Sequence, residues 1–190
     1  MTITKRLYTG AAILALGTGM AQAQDLVFEK GEGAFSWDSL ESFAAEHDYS
    51  GESIDITGPW TGRDAELVES VIAYFEDATG ASVNYSGSDS FEQDIVISTE
   101  ANSAPNIAAF PQPGLLSDLA ARGAITPLGP ETAEWIRENY AAGDSWADLA
   151  SFEGEGGETR LMAFPYKIDV KSLVWYVPEN FEDAGYEIPK

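Results

Sequence analysis

Trp60 is followed by Thr61 and then Arg63 in the run G-P-W-T-G-R, and Phe110 precedes Gln112 in F-P-Q-P-G. Each run sets a flat apolar ring beside groups that can donate or accept hydrogen bonds. Asp89, in S-G-S-D, adds a carboxylate. Lys167, Asp169 and Lys171 alternate with Ile168 and Val170, which on an extended chain puts the three charged groups on one face. A ligand matched to such a mixture has an apolar C–H face to lie on a ring and a rim of hydroxyls for amide and charged side chains. Each residue also has a plainer use. Trp60 could pack beneath the helix that follows, though the turn made by Pro59 and Gly62 favours a cleft position. For Phe110, core and cleft are evenly balanced. Asp89 taken alone reads most simply as a residue near a helix N-terminus. The Lys-Asp-Lys face could be a charged strand edge.

These residues fall where an alternating strand–helix pattern would place them. Ile54 and Ile56 mark a first strand that ends at Gly58, Pro59 and Trp60. Thr61, three residues before Asp64, predicts a capping box for a helix burying Leu67, Val71, Phe75 and Ala78, closed by Gly80 as a left-handed cap. Val83 and Tyr85 give a second strand, and Ser90 with Gln93 a second capping box ahead of Ile95 and Ile97. Residues 107–110 give a third strand, followed by a helix through Leu115, Leu116 and Leu119 that ends at Gly123. Two acidic helices follow, over 131–140 and 146–152, then a Gly- and Glu-rich loop over 153–158. That loop has the composition for a weak calcium contact but lacks EF-hand spacing. The pattern predicts an α/β fold, an open parallel sheet with helices on both faces. In such sheets ligands lie beyond the carboxyl ends of the strands, which selects the loops 58–63, 86–89 and 110–114.

Upstream, Ser36 caps a helix carrying Trp37, Leu40, Phe43, Ala44 and His47 at three- and four-residue steps, read as packing on the domain that follows. His47 is the single histidine and there is no cysteine, so no zinc site, disulfide or thiol chemistry is expected. The chain has 32 acidic against 10 basic residues and a formal charge of −22, which would repel nucleic acid and anionic lipid. Lys5 and Arg6, an apolar run over 7–20 and Ala21-Gln22-Ala23 form a cleavable export leader. The apolar run, roughly 14 residues, is shorter than the about 20 that a membrane span needs. The signatures G-x-S-x-G, P-loop, G-x-G-x-x-G and HExxH are absent from the sequence.

The run from Leu161 to Val177 reads as extended. At about 3.3 Å per residue it would span about 50 Å, more than one ordinary strand. Pro165, Tyr166 and Lys167, then Lys171, Ser172 and Leu173, then Trp175 and Tyr176, lead to Phe181 and to Ala184, Gly185 and Tyr186. Pro105, Asn106, Ile107, Ala108, Ala109 and Phe110 lead to Leu115, Leu119, Gly123, Pro127 and Leu128. With the opening strand over 54–60, these runs resemble, in order and spacing, the solute-binding proteins of bacterial ABC importers. Within them the chain is most similar to the alpha-glucoside-binding branch of the maltose-binding-like receptors. It departs from the common form in carrying Asn106 where that form has Asp.

The resemblance implies the N-terminal lobe of a two-lobed receptor, with the second lobe missing. Its parts would be a leader over 1–23, an extension with a packing helix over 24–51, the lobe over 52–164, and a hinge-crossing strand with the start of the second lobe over 165–190. It further implies a periplasmic monomer that binds sugar for a membrane permease, with no cofactor and no catalysis. Trp60, Thr61, Arg63, Asp89, Phe110 and Gln112 would meet the sugar, with Lys167, Asp169 and Lys171 at the cleft floor. With one lobe's contacts, sugar binding is expected to be far weaker than micromolar. Two other readings remain: an exported glycoside-processing enzyme or accessory protein on the same fold, and a truncated receptor without function.

Overall fold

A computed structural model describes residues 26–34, 36–167 and 175–187. The leader expected over 1–23 lies outside the described residues, as do Asp169 and Lys171. The chain forms two compact units, one of residues up to Asp89 together with Pro105–Ile107, the other of Ser90–Ala104 and the residues from Ala108 onward.

The first unit holds helix α1 (Trp37–Glu46), strand β1 (Ser53–Gly58), helix α2 (Arg63–Thr79) and strand β2 (Ser82–Gly87). Ile54 and Ile56 of β1 are half-buried between exposed Ser53 and Asp55, and Val83 and Tyr85 do the same on β2. The strands pair in parallel from Ser53 opposite Ser82 to Gly58 opposite Gly87. Parallel strands need a crossover, and α2 supplies it. Gly80 ends α2 with φ 72°, in the left-handed region that favours glycine. The sheet order is β2-β1-β3, with β3 at Ile107–Ala108. Asn106 tightens that side: its Oδ1 accepts the Asp55 N–H at 2.9 Å, while Asn84 Nδ2 donates to Asp55 Oδ1 at 3.0 Å. The architecture is α/β, a parallel sheet flanked by helices.

Two expectations for α2 are corrected. Its N-cap is Gly62, at φ 55°, rather than Thr61. The chain turns there through a conformation that costs glycine little, so the helix starts one residue later than the capping pattern implies. Leu67 and Val71, expected inward, are 55% and 67% exposed. The inward side carries Ala73 instead, which with Ile72 lines a groove shared with Val83 and Tyr85 of β2. Helix α1 packs on α2 as expected, through Phe43 against Phe75 and Trp37 against Tyr74. Ser36 occupies its N-cap position, but the hydroxyl donates to Ser39 Oγ rather than accepting from the helix backbone. His47 stacks on Tyr49 at an interplanar angle of 14°, a packing role.

The second unit holds α3 (Phe91–Glu100), α4 (Pro113–Ala121), α5 (Pro130–Asn139), α6 (Gly143–Leu149), strands β4 (Ser151–Glu153) and β5 (Thr159–Leu161), and α7 (Pro178–Asp183). One core joins Phe91, Ile95 and Leu119. Another joins Ile136, Ala147, Ala150 and Leu161. The acidic helix expected to run to Phe152 stops at Leu149, and Phe152 instead pairs with Arg160 across an antiparallel hairpin. The Gly-rich loop is the turn of that hairpin, with Gly157 at φ 78°. The third strand ends at Ala108 instead of Phe110, because Phe110 turns into the first core and Pro111 has no N–H to offer a ladder.

The long extended run is not one strand. β5 ends at Leu161, and the N–H groups of Met162 and Ala163 both turn back to the Ala150 carbonyl. Residues 162–167 form no regular element, and residues 168–174 lie outside the described residues. Helix α7 does start at Pro178, whose fixed φ suits a first helical position. Trp175 and Tyr176 alternate on an extended chain, which would turn one of them inward. Both are exposed, Trp175 at 87%, and the Tyr176 ring meets that of Phe181 at 5.4 Å.

Candidate functional site

In the first unit, the loops after β1 and β2 leave the same end of the sheet. The last pair in the ladder is Gly58 with Gly87, so both loops begin without side chains between them. Ser88 N–H donates to the Gly58 carbonyl at 3.0 Å, and Thr57 Oγ1 donates to the Ser86 carbonyl at 2.9 Å. Beyond the ladder, Thr61 Oγ1 donates to Asp89 Oδ1 at 3.2 Å. Trp60, Thr61, Arg63 and Asp89, assigned from sequence to two loops, are thus brought together.

The Tyr85 hydroxyl fastens the same loop from below. It accepts the Trp60 N–H at 3.2 Å and donates to the Trp60 carbonyl at 3.0 Å. Burial raises the Tyr85 pKa above its ordinary value, with the Glu69 charge adding and the Trp60 hydrogen bond opposing. Trp60 is half-buried, while Thr61, Arg63 and Asp89 are exposed. Arg63 is the first residue of α2, where a cation meets the positive end of the helix dipole. It makes no ion pair among the described residues.

In the second unit, Phe110 is half-buried and meets Phe91 edge-on at a ring separation of 5.5 Å. Gln112 caps α4: its Oε1 accepts the Gly114 N–H at 2.8 Å, and its Nε2 donates to Glu92 Oε1 at 3.1 Å. Both amide atoms therefore have structural partners already. Lys167 is exposed at the end of the segment that Tyr140 anchors through its hydroxyl on the Pro165 carbonyl, 2.6 Å away. In the sequence Tyr85 reads only as a strand residue and Gly87 only as part of the loop 86–89. Among the described residues no group of three His, Asp or Glu side chains is placed to hold a metal ion.

Residues 57–190 match the profile of a family described as bacterial extracellular solute-binding protein. The chain belongs to that family. The match starts at the end of β1 and runs through both loops of the first unit. Among curated proteins, the family member named alpha-glucosides-binding periplasmic protein AglE, of Rhizobium meliloti, is 57% identical over 193 aligned residues, covering 98% of this chain. The osmoprotective compounds-binding protein GgtB of Synechocystis sp. is 38% identical over 139 residues, covering 73% of it. The chain spans 42% of the first relative's length and 31% of the second's. Family and relatives alike are named for binding, and the fold matches what the family resemblance implied.

Proposed function

We propose that this solute-binding protein takes alpha-glucosides or closely related oligosaccharides and presents them to the membrane permease of an ABC importer. The observation that carries the reading is the 57% identity, over 98% of the chain, to a relative whose name specifies alpha-glucosides. The linked loops of the first unit support it. Trp60 offers a ring face, and Thr61, Asp89 and Arg63 offer donors and acceptors around it, the combination a pyranose calls for. Phe110 and Gln112 have packing and capping roles of their own, so the proposal rests mainly on the first four residues. Lys167, Asp169 and Lys171 are proposed as secondary contacts.

The protein works in the periplasm as a monomer, after export on a leader over residues 1–23, and its acidity keeps it off nucleic acid. It binds without turnover and without cofactor. A calorimetric or NMR titration with maltose, trehalose, sucrose and glycine betaine tests the ligand class. The reading requires a saturable response to at least one glucoside and none to the zwitterionic betaine. Incubation with an aryl alpha-glucoside should release no aryl alcohol. A response to betaine alone, or sustained release of the alcohol, would replace this reading.

A further inference from the structure

We propose that Tyr85 is a positioning residue for the Trp60 loop, and that Gly87 is the space into which that loop must settle. Tyr85 lies on β2 beneath residues 59–62, and one phenol oxygen serves both polar groups of the Trp60 backbone. The Trp60 N–H and carbonyl belong to the two peptide planes that flank its Cα, so bonds to both restrain the Cα–Cβ vector of Trp60. Only the neutral phenol can do this, since a phenolate has no proton for the carbonyl. Gly87 completes the arrangement. A Cβ added there would collide with the Trp60 carbonyl oxygen and carbon, which are backbone atoms that cannot swing aside. The Trp60 carbonyl is thus drawn down by Tyr85 onto a floor that Gly87 leaves empty. A loop held this way presents its ring without an ordering cost on binding, which raises affinity through preorganisation.

The functional consequence rests on the reading of Trp60 as a sugar platform; the loop geometry does not. The test labels the whole chain with 5-fluorotryptophan and records fluorine NMR spectra. Trp60 is assigned by the signal lost in Trp60→Phe. Tyr85→Phe removes both hydrogen bonds and keeps the ring, and Gly87→Ala obstructs the floor from an exposed position. In each variant the Trp60 signal should move beyond its linewidth while the other tryptophan signals stay. Maltose affinity should fall by about three- to tenfold.

A Trp60 signal unmoved in both variants overturns the inference, and so does a moved signal with unchanged affinity. If Tyr85→Phe disturbs every tryptophan signal, the fold has been lost, and Gly87→Ala decides. If the unmodified chain responds to none of maltose, trehalose and sucrose, the sugar reading falls. The fluorine signals then still decide whether Tyr85 sets the loop.

Discussion

The Thr61 hydroxyl donates to the Asp89 carboxylate at 3.2 Å and so ties the loop after β1 to the loop after β2. The residues are 28 apart in sequence, and Thr61 lies three positions and Asp89 two beyond the shared end of the ladder. The bond is exposed, so its contribution to stability is small, while its position makes it matter for the relative placement of Trp60 and Asp89. Replacing Thr61 by Val, which keeps the shape and removes the donor, should cost under about 1 kcal/mol of stability. Maltose affinity should drop by about three- to tenfold. Asp89→Asn keeps an acceptor at Oδ1 and should retain more of the affinity than Asp89→Ala. Denaturant melts and titrations of the three variants check this, and equal affinities would show that the tie has no part in binding.

The Asn106 Oδ1 holds the Asp55 N–H at 2.9 Å. A carboxylate can accept the same bond, so Asn106→Asp should keep it and shift stability by less than about 0.5 kcal/mol. Asn106→Ala removes the acceptor and should cost about 0.5–1.5 kcal/mol in a urea melt. Equal midpoints for Asn106→Ala and the unmodified chain would rule out this pin on β1.

Burial predicts opposite outcomes for two aliphatic residues. Ile136 is fully buried among Ala147, Ala150 and Leu161, and Ile136→Ala should cost about 2–5 kcal/mol. Leu67 is 55% exposed on α2, and Leu67→Ala should stay within about 0.5 kcal/mol. Comparable losses would mean that the α2 face is covered in solution.

Tyr85 also predicts a pH dependence. Its folded pKa lies above the ordinary 10.0, chiefly because of burial. The folded state therefore holds the phenol proton more tightly than the unfolded chain does. The stability linked to that proton is fully present below about pH 10 and is lost as the pH rises through the folded value. Tyr140 is raised by burial as well and contributes in the same direction. Thermal melts above pH 10 should therefore fall less steeply for Tyr85→Phe than for the unmodified chain, with Tyr140 contributing to the slope that remains. Identical slopes would contradict a half-buried, clamped Tyr85.

What was legible in the sequence was local. β1 and β2 showed in the alternation of Ile54 with Ile56 and of Val83 with Tyr85, and the end of α2 showed in Gly80. These features follow from a few neighbouring residues whose geometry has little freedom. What was missed depended on distant partners. Thr61 carries a cap signature, but its hydroxyl finds Asp89, and Gly62 takes the cap. Phe152 continues a helical pattern until Arg160, across a turn that Gly157 permits, offers it a strand. Leu67 and Val71 recur at helical spacing, yet the approach of Ala73 to β2 sets the rotation of α2. For the candidate site, residue types and loop positions selected Trp60, Thr61, Arg63 and Asp89, and the structure joins Thr61 to Asp89. The Tyr85 clamp joins a side chain to a backbone across 25 positions, which no spacing rule reveals.

The most direct test of a sugar platform at the joined loops is a map of amide chemical shifts as maltose is added. Contacts from one pair of loops, worth about −4 kcal/mol, correspond to a Kd of about 1 mM, well suited to that method. The shifts should be largest within residues 58–63 and 86–89, should saturate with a single constant, and should vanish in Trp60→Ala. Saturating shifts centred elsewhere, or a Trp60→Ala variant that responds like the unmodified chain, would contradict the account.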